Sequence, residues 1–307
     1  EQLETSRLNG AFYYTDAVTD DARLTLRVLQ ESIRKGARVR NYTRASELIR
    51  TDGRVHGVVV EDMETQERLS LRARVVINAT GAWADKLRNN VNSEVRVRPL
   101  RGSHLVIARE RLPVDGVYSF FHPADKRSVF VFPWEGATAI GTTDLDHSRD
   151  IDEEASITPE EVVYLLDGVN SQFPEKPIGR EDVISTWSGV RPVIGSEKSK
   201  DPSRERRDHA VWSDKGLVTV SGGKLTTFRL IARDALAAAG EHLPQQATAT
   251  GSQLFAVPRM KPEQLLPADP DWARRLLGRY GDAAQCLLQQ APSHEMPRIA
   301  GTDFCLA

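Results

Sequence analysis

Two apolar runs, Val75-Val76-Ile77 and residues 217–221, each pass directly into a glycine turn and then into helical sequence. The first continues as Asn78-Ala79-Thr80-Gly81-Ala82-Trp83-Ala84. The second continues as Gly222-Gly223-Lys224-Leu225-Thr226-Thr227, ahead of a helix over about 228–239. The run Val75-Val76-Ile77, with no polar position, is expected to be buried on both faces, as parallel strands covered by helices are. Small residues just behind such a strand let a ligand approach the backbone, and N–H groups at the following helix start favour an anion. A chain carrying this unit twice is constrained to an α/β organisation.

Between the two units the sequence changes character. Residues 105–108, 117–121, 129–132 and 137–141 read as short strands separated by Gly, Pro and charged turns, which is antiparallel-sheet sequence. Upstream, Thr19-Asp20-Asp21 opens a helix whose apolar stripe is Leu24, Val28, Leu29 and Ile33, stopped by Gly36. Val39 begins an extended segment, and strands over 55–61 and 69–74 flank a polar turn. Downstream, Thr158-Pro159-Glu160-Glu161 is a capped helix start. Residues 198–208 form a polar loop, residues 243–270 a linker, and residues 271–290 one amphipathic helix. The domains expected are 1–95 and 216–245 as parts of one nucleotide-binding-type α/β domain, 96–215 as an inserted antiparallel sheet, and 246–307 as linker and helical region.

Charge and cysteine content narrow the function class. The 41 Lys and Arg against 43 Asp and Glu leave a net charge of -2, so no basic field exists to attract a nucleic-acid backbone. No stretch approaches the ~20 apolar residues of a membrane-spanning helix. The two cysteines, Cys286 and Cys305, suggest neither a disulfide framework nor a zinc site, which fits a reducing compartment. Both termini read as cuts through something longer.

Five motifs carry candidate chemistry. Ala79-Thr80-Gly81 is either a structural turn or a cofactor approach. Gly222-Gly223-Lys224 sets a cation against a helix start, a position the dipole disfavours unless an anion sits there too. Ser188-Gly189-Val190-Arg191-Pro192 presents a guanidinium beside a stiffened segment, suited to bidentate phosphate or carboxylate recognition, although taken in isolation it reads first as a surface Arg at a turn. Arg101-Gly102-Ser103-His104 places a histidine on a strand, as a satisfied edge residue or a general base. Ile140-Gly141-Thr142-Thr143-Asp144 is either a plain turn or a set of site hydroxyls and a carboxylate.

Taken in order, these motifs resemble the FAD-dependent glycerol-3-phosphate dehydrogenase family, within the D-amino-acid-oxidase-like flavoproteins. Further motifs carry the resemblance: Tyr14-Thr15-Asp16, Asp20-Asp21-Ala22-Arg23-Leu24, Phe132-Pro133-Trp134 and Arg207-Asp208-His209. It covers roughly residues 10–240, with the segment from about 255 similar to the start of the family's helical C-terminal region. One departure stands out: the family's N-terminal Gly-x-Gly-x-x-Gly unit and its Arg-Tyr pair have no counterpart here. The chain thus looks like a family member without that nucleotide-binding unit, its FAD-binding-type domain partial.

The resemblance implies oxidation of sn-glycerol 3-phosphate to dihydroxyacetone phosphate, with hydride passed to flavin and electrons onward to a quinone or to oxygen. It implies His104, Arg191 and Lys224 as catalytic residues and Arg191, Arg207 and Lys224 as substrate-binding residues. It implies Ala79, Thr80, Gly81, Trp83, Gly222, Gly223, Lys224, Leu225 and Thr226 as contacts to FAD. A cytoplasmic protein is expected, either free or peripheral on the cytoplasmic face of the inner membrane, with no nucleic-acid partner and no metal. Two alternatives stay open: a catalytically silent binding module of the same family that lacks FAD, and an oxidase of the superfamily acting on an amine.

Overall fold

The computed structural model describes residues 3–4, 6, 9–89, 91, 94, 96–195, 208–243, 253–255, 257–265 and 270–292. In chain order the first elements are α1 (Asp21–Arg34), β1 (Thr43–Thr51), β2 (Arg54–Asp62), β3 (Arg68–Arg72), β4 (Val76–Asn78) and α2 (Ala84–Arg88). Next come β5 (Val97–Ala108), β6 (Tyr118–Phe121), β7 (Ser128–Trp134), β8 (Ala137–Gly141), β9 (Leu145–Asp146) and α3 (Pro159–Gln172). The last are β10 (Val183–Ile194), β11 (His209–Asp214), β12 (Leu217–Gly222), α4 (Phe228–Ala238), α5 (Pro270–Tyr280) and α6 (Ala283–Gln290). They form two compact units, one of residues 1–11 and 43–245, the other of residues 12–42 and 246–307. No helix among the described residues is long and apolar enough to cross a membrane.

The larger unit is built on three sheets. β1, β2 and β3 form an antiparallel meander. β12 pairs in parallel with β4, Leu217 opposite Val76 and Thr219 opposite Asn78, so the two strand–glycine–helix units lie side by side. β11 flanks β12 on its other side. The antiparallel sheet expected between them is present, in the order β10-β5-β8-β7-β6, with β9 also on β5. One face of this sheet buries Leu105, Ile107, Val129 and Ile140 against Leu165 and Val169 of α3. α3 starts with a capping box: Thr158 accepts from the Glu161 N–H at 3.3 Å, and Glu161 accepts from the Thr158 N–H at 2.9 Å. Thr158→Ala is expected to lower stability by about 1 kcal/mol, measurable as a shift in urea midpoint with unchanged slope.

Four local expectations need correction. Ile77, expected to be buried, is 39% exposed, because among the described residues β4 is the edge strand of a three-stranded sheet, paired on its β12 side. Regular strand structure begins at Thr43 rather than at Val39. In the smaller unit, α1 buries Arg27 and Glu31, an ion pair at 3.5 Å, whereas Ile33 of its apolar stripe is 54% exposed. The Arg27 guanidinium lies over the Phe255 ring and where a side chain on Gly281 would stand. The helix expected over 271–290 is two helices, because Gly281 turns the chain at φ +59° between α5 and α6.

Candidate active site

β5 and β10 run antiparallel over their whole lengths, with Trp187 opposite His104 and Arg191 opposite Leu100. The His104 ring stacks on Trp187, centroids 4.8 Å apart at 14°, and meets Phe132 edge-on at 6.4 Å. Its other side rests on Gly141 of β8, where a Cβ would fall inside the imidazole. Burial, and secondarily the Arg191 charge, push the His104 pKa down to about 4. The imidazole is therefore neutral at pH 7, and its buried Nδ1 makes no hydrogen bond among the described residues.

The Arg191 side chain crosses Gly102, where a Cβ would overlap the guanidinium, and reaches the corner between β8 and β9. There Nη2 donates to the Thr143 carbonyl at 2.8 Å and pairs with the Asp144 carboxylate at 3.1 Å. The corner is held in turn from beneath. Thr143 Oγ1 donates to Glu161 Oε1 at 2.6 Å and accepts from the Ser103 N–H at 3.0 Å, while Arg127 donates to the Asp144 carbonyl at 2.7 Å. Glu161, 2% exposed, also receives Ser103 Oγ at 2.9 Å and Arg101 Nη2 at 2.8 Å. Burial raises its carboxyl pKa, but the donors Thr143, Thr158 N–H, Arg101 and Ser103 outweigh burial and hold it below the usual range.

The two glycine turns meet. Ser221 Oγ donates to the Gly81 carbonyl at 3.3 Å, and the nearest atom to a Cβ on Gly81 would be Pro192 Cγ, beside Arg191, at 3.9 Å. Gly81 opens a 3-10 turn, Gly81–Trp83, that runs into α2, and Trp83 donates to Asp152 at 2.7 Å. Ala79, Thr80 and Trp83 are exposed. Gly222 and Gly223 both take positive φ, +78° and +84°, and the space beside their Cα atoms is filled by the chain itself: Asp208 and Ile194 for the first, Ile231 and His209 for the second. Those glycines are thus required by the turn and its own packing. Lys224 precedes the 3-10 turn Leu225–Thr227 that leads into α4, and Leu225 and Thr226 are exposed with it. Its ammonium makes no hydrogen bond or ion pair among the described residues.

The structure therefore brings His104 and Arg191 to neighbouring places on one sheet and joins the turn at 79–83 to the turn at 221–224. Arg207 lies outside the described residues. Sequence reasoning missed Glu161 as the hub beneath the site. Its only local signal, three residues after Thr158, was the capping box.

The family model described as "FAD dependent oxidoreductase" matches residues 1–238. The aerobic glycerol-3-phosphate dehydrogenase of Bacillus subtilis (strain 168) is 39% identical over 228 residues, 73% of this chain and 40% of that protein. The enzyme of the same name from Staphylococcus aureus (strain USA300) is 33% identical over 298 residues, 89% of this chain and 53% of that one. Among solved structures, the glycerol-3-phosphate dehydrogenase from Bacillus halodurans complexed with FAD superposes with a TM-score of 0.73 at 33% identity, covering 88% of this chain and 56% of that one. The chain thus spans about half the length, or less, of these relatives. By the family model over 238 consecutive residues, it belongs to the FAD dependent oxidoreductase family.

Proposed function

We propose that this chain carries the substrate side of an FAD-dependent enzyme that oxidises sn-glycerol 3-phosphate to dihydroxyacetone phosphate, passing the electrons to a quinone or to oxygen. The observation that supports it most is the placement of a neutral His104 beside the Arg191 guanidinium, one residue from Pro192, which the Gly81 turn approaches. The names of the relatives supply the substrate class. The exposed residues Ala79, Thr80 and Trp83, with Gly81 beside them, and Lys224, Leu225 and Thr226 would hold the ring end of the cofactor, whereas the space beside Gly222 and Gly223 is taken by the chain's own packing. FAD, when bound, supplies the hydride acceptor. With FAD held there, the exposed Lys224 ammonium would offer a positive charge to an anionic ring edge or alkoxide.

Arg191 binds the phosphate or a glycerol oxygen, with its orientation set by Thr143 and Asp144. His104 takes the hydroxyl proton. A phosphate dianion offsets the Arg191 charge, one of the two causes that depress the His104 pKa, so substrate raises the basicity of its own base. The proton is then held on the imidazole at the site until product leaves.

A second reading, a silent binding module, draws on one fact: Gly-x-Gly spacing occurs nowhere in the 307 residues, so the usual anion site for a dinucleotide pyrophosphate is not in them. The 307-residue chain is accordingly expected to quench FAD fluorescence weakly. Fused behind the Gly-rich unit of a relative, it should turn yellow and reduce a dye with glycerol 3-phosphate but not with glycerol. In that protein Arg191→Ala should raise KM at least about tenfold. A yellow fusion that oxidises an amine and ignores glycerol 3-phosphate overturns the substrate assignment, and a colourless one favours the silent module.

A further inference from the structure

Arg191 owes its aim to a piece of backbone outside every strand ladder. β8 ends at Gly141 and β9 begins at Leu145, so the corner 142–144 has no regular pairing of its own. Yet the Thr143 carbonyl, which accepts from Nη2, and the Asp144 carboxylate, which pairs with it, both belong to that corner. A long backbone bond, Thr143 N–H to the Ser103 carbonyl at 3.4 Å, ties it to β5, and shorter side-chain bonds add to it. The shortest buried bond it makes is Thr143 Oγ1 to Glu161 Oε1, and Glu161 is itself immobilised by the first turn of α3 and by Arg101 and Ser103 of β5.

We infer that Glu161 is a positioning residue for Arg191, acting through the Thr143 hydroxyl to set where the guanidinium meets an anionic ligand. The inference rests on the proposed role of Arg191. A carboxylate suits the task because everything converging on it is a donor: Thr143, Ser103 and Arg101 on Oε1, Arg101 and the Thr158 N–H on Oε2. Glutamine would turn two N–H groups toward donors, and no rotation of the amide relieves both sides. Valine at 143 is the cleaner severance. It keeps the shape and the carbonyl that Arg191 uses, leaves Glu161 with Arg101, Ser103 and Thr158, and removes the hydroxyl link together with the acceptor of the Ser103 N–H.

The test compares wild type, Thr143→Val, Thr143→Ser and Glu161→Gln in the 307-residue chain. The first readout needs no ligand: the Arg191 Nε–H signal, assigned with Arg191→Lys, followed by its heteronuclear relaxation. The second is calorimetric titration with glycerol 3-phosphate and with inorganic phosphate. Thr143→Val is expected to keep the thermal midpoint within a few degrees. It should mobilise the Arg191 side chain and weaken anion binding roughly tenfold. Thr143→Ser should restore both, and Glu161→Gln should resemble Thr143→Val. An Arg191 signal as rigid in Thr143→Val as in wild type overturns the inference, whatever Glu161→Gln does to folding. If Arg191 loosens as expected but wild type binds neither anion, the positioning stands and the substrate reading fails.

Discussion

Glu161→Ala is expected to lower the stability of the larger unit by about 3–5 kcal/mol, the effect of breaking a buried ion pair from one side. Arg101 is 6% exposed and its guanidinium sits 2.8 Å from Glu161 Oε2. Removing the carboxylate strands that charge, together with the Ser103 and Thr143 hydroxyls, in a place water does not reach. The capping box is lost in the same change, since Glu161 Oε2 is the acceptor for the Thr158 N–H. A double variant offers the decisive comparison. Arg101→Met with Glu161→Leu removes both charges at similar volume, and such replacements are often close to neutral. The double variant should therefore be more stable than Glu161→Ala alone in urea unfolding. A loss under 1 kcal/mol for Glu161→Ala would mean that water enters the network and that the charge is not buried as the structure has it.

The elements with a strong local period were legible. Alternation and turn residues marked β6, β7 and β8, the capping residues marked α3, and the twin glycine turns marked β4 and β12, which the structure then pairs in parallel. Where tertiary context decides, the sequence was silent. Residues 43–51 have no period of two in apolar residues, so β1 could not be read from them, and it exists because β2 pairs with it. The split between α5 and α6 turns on one glycine conformation, and the buried face of α1 is decided by an Arg27–Glu31 pair that no hydrophobic stripe announces.

The site shows the same division. His104 and Arg191 were visible as residue types in suggestive settings, but not the surfaces that place them. Nothing in the sequence around Gly141 and Gly102 marks their task, and the folded sheet shows that one leaves room for an imidazole and the other for a guanidinium. Asp144 and Glu161 come from a corner and a helix start whose neighbours are distant in sequence, so their partnership with Arg191 and Arg101 has no local signature. The double glycine at 222–223 shows the reverse. Its residues were read as room for a ligand, and the adjacent space is taken by the protein's own side chains and backbone.

The acid side of the stability profile should be governed in part by His104. Its pKa in the folded chain is about 4 against 6.5 for an ordinary histidine, so the fold favours the neutral ring. Above pH 6.5 neither the folded nor the unfolded form is protonated there, and the group adds no pH dependence. As pH falls through 6.5 the unfolded chain takes up a proton that the folded chain refuses, and stability drops until the folded pKa is reached. A shift of this size amounts to about 3 kcal/mol lost between pH 6.5 and 4, with no further loss below. Burial is the larger cause and the Arg191 charge the smaller, so Arg191→Gln should recover only the minor part of the loss. His104→Gln, which cannot titrate, should remove this component entirely. The measurement is urea unfolding of wild type and both variants at half-unit steps from pH 7 to pH 4. Parallel curves for wild type and His104→Gln would show that the imidazole is solvated, and it could then not serve as a base tuned by the charge of its neighbour. If the curves diverge as expected, repeating the wild-type series in phosphate rather than chloride should shrink the loss, because an anion at Arg191 removes the electrostatic share of the penalty.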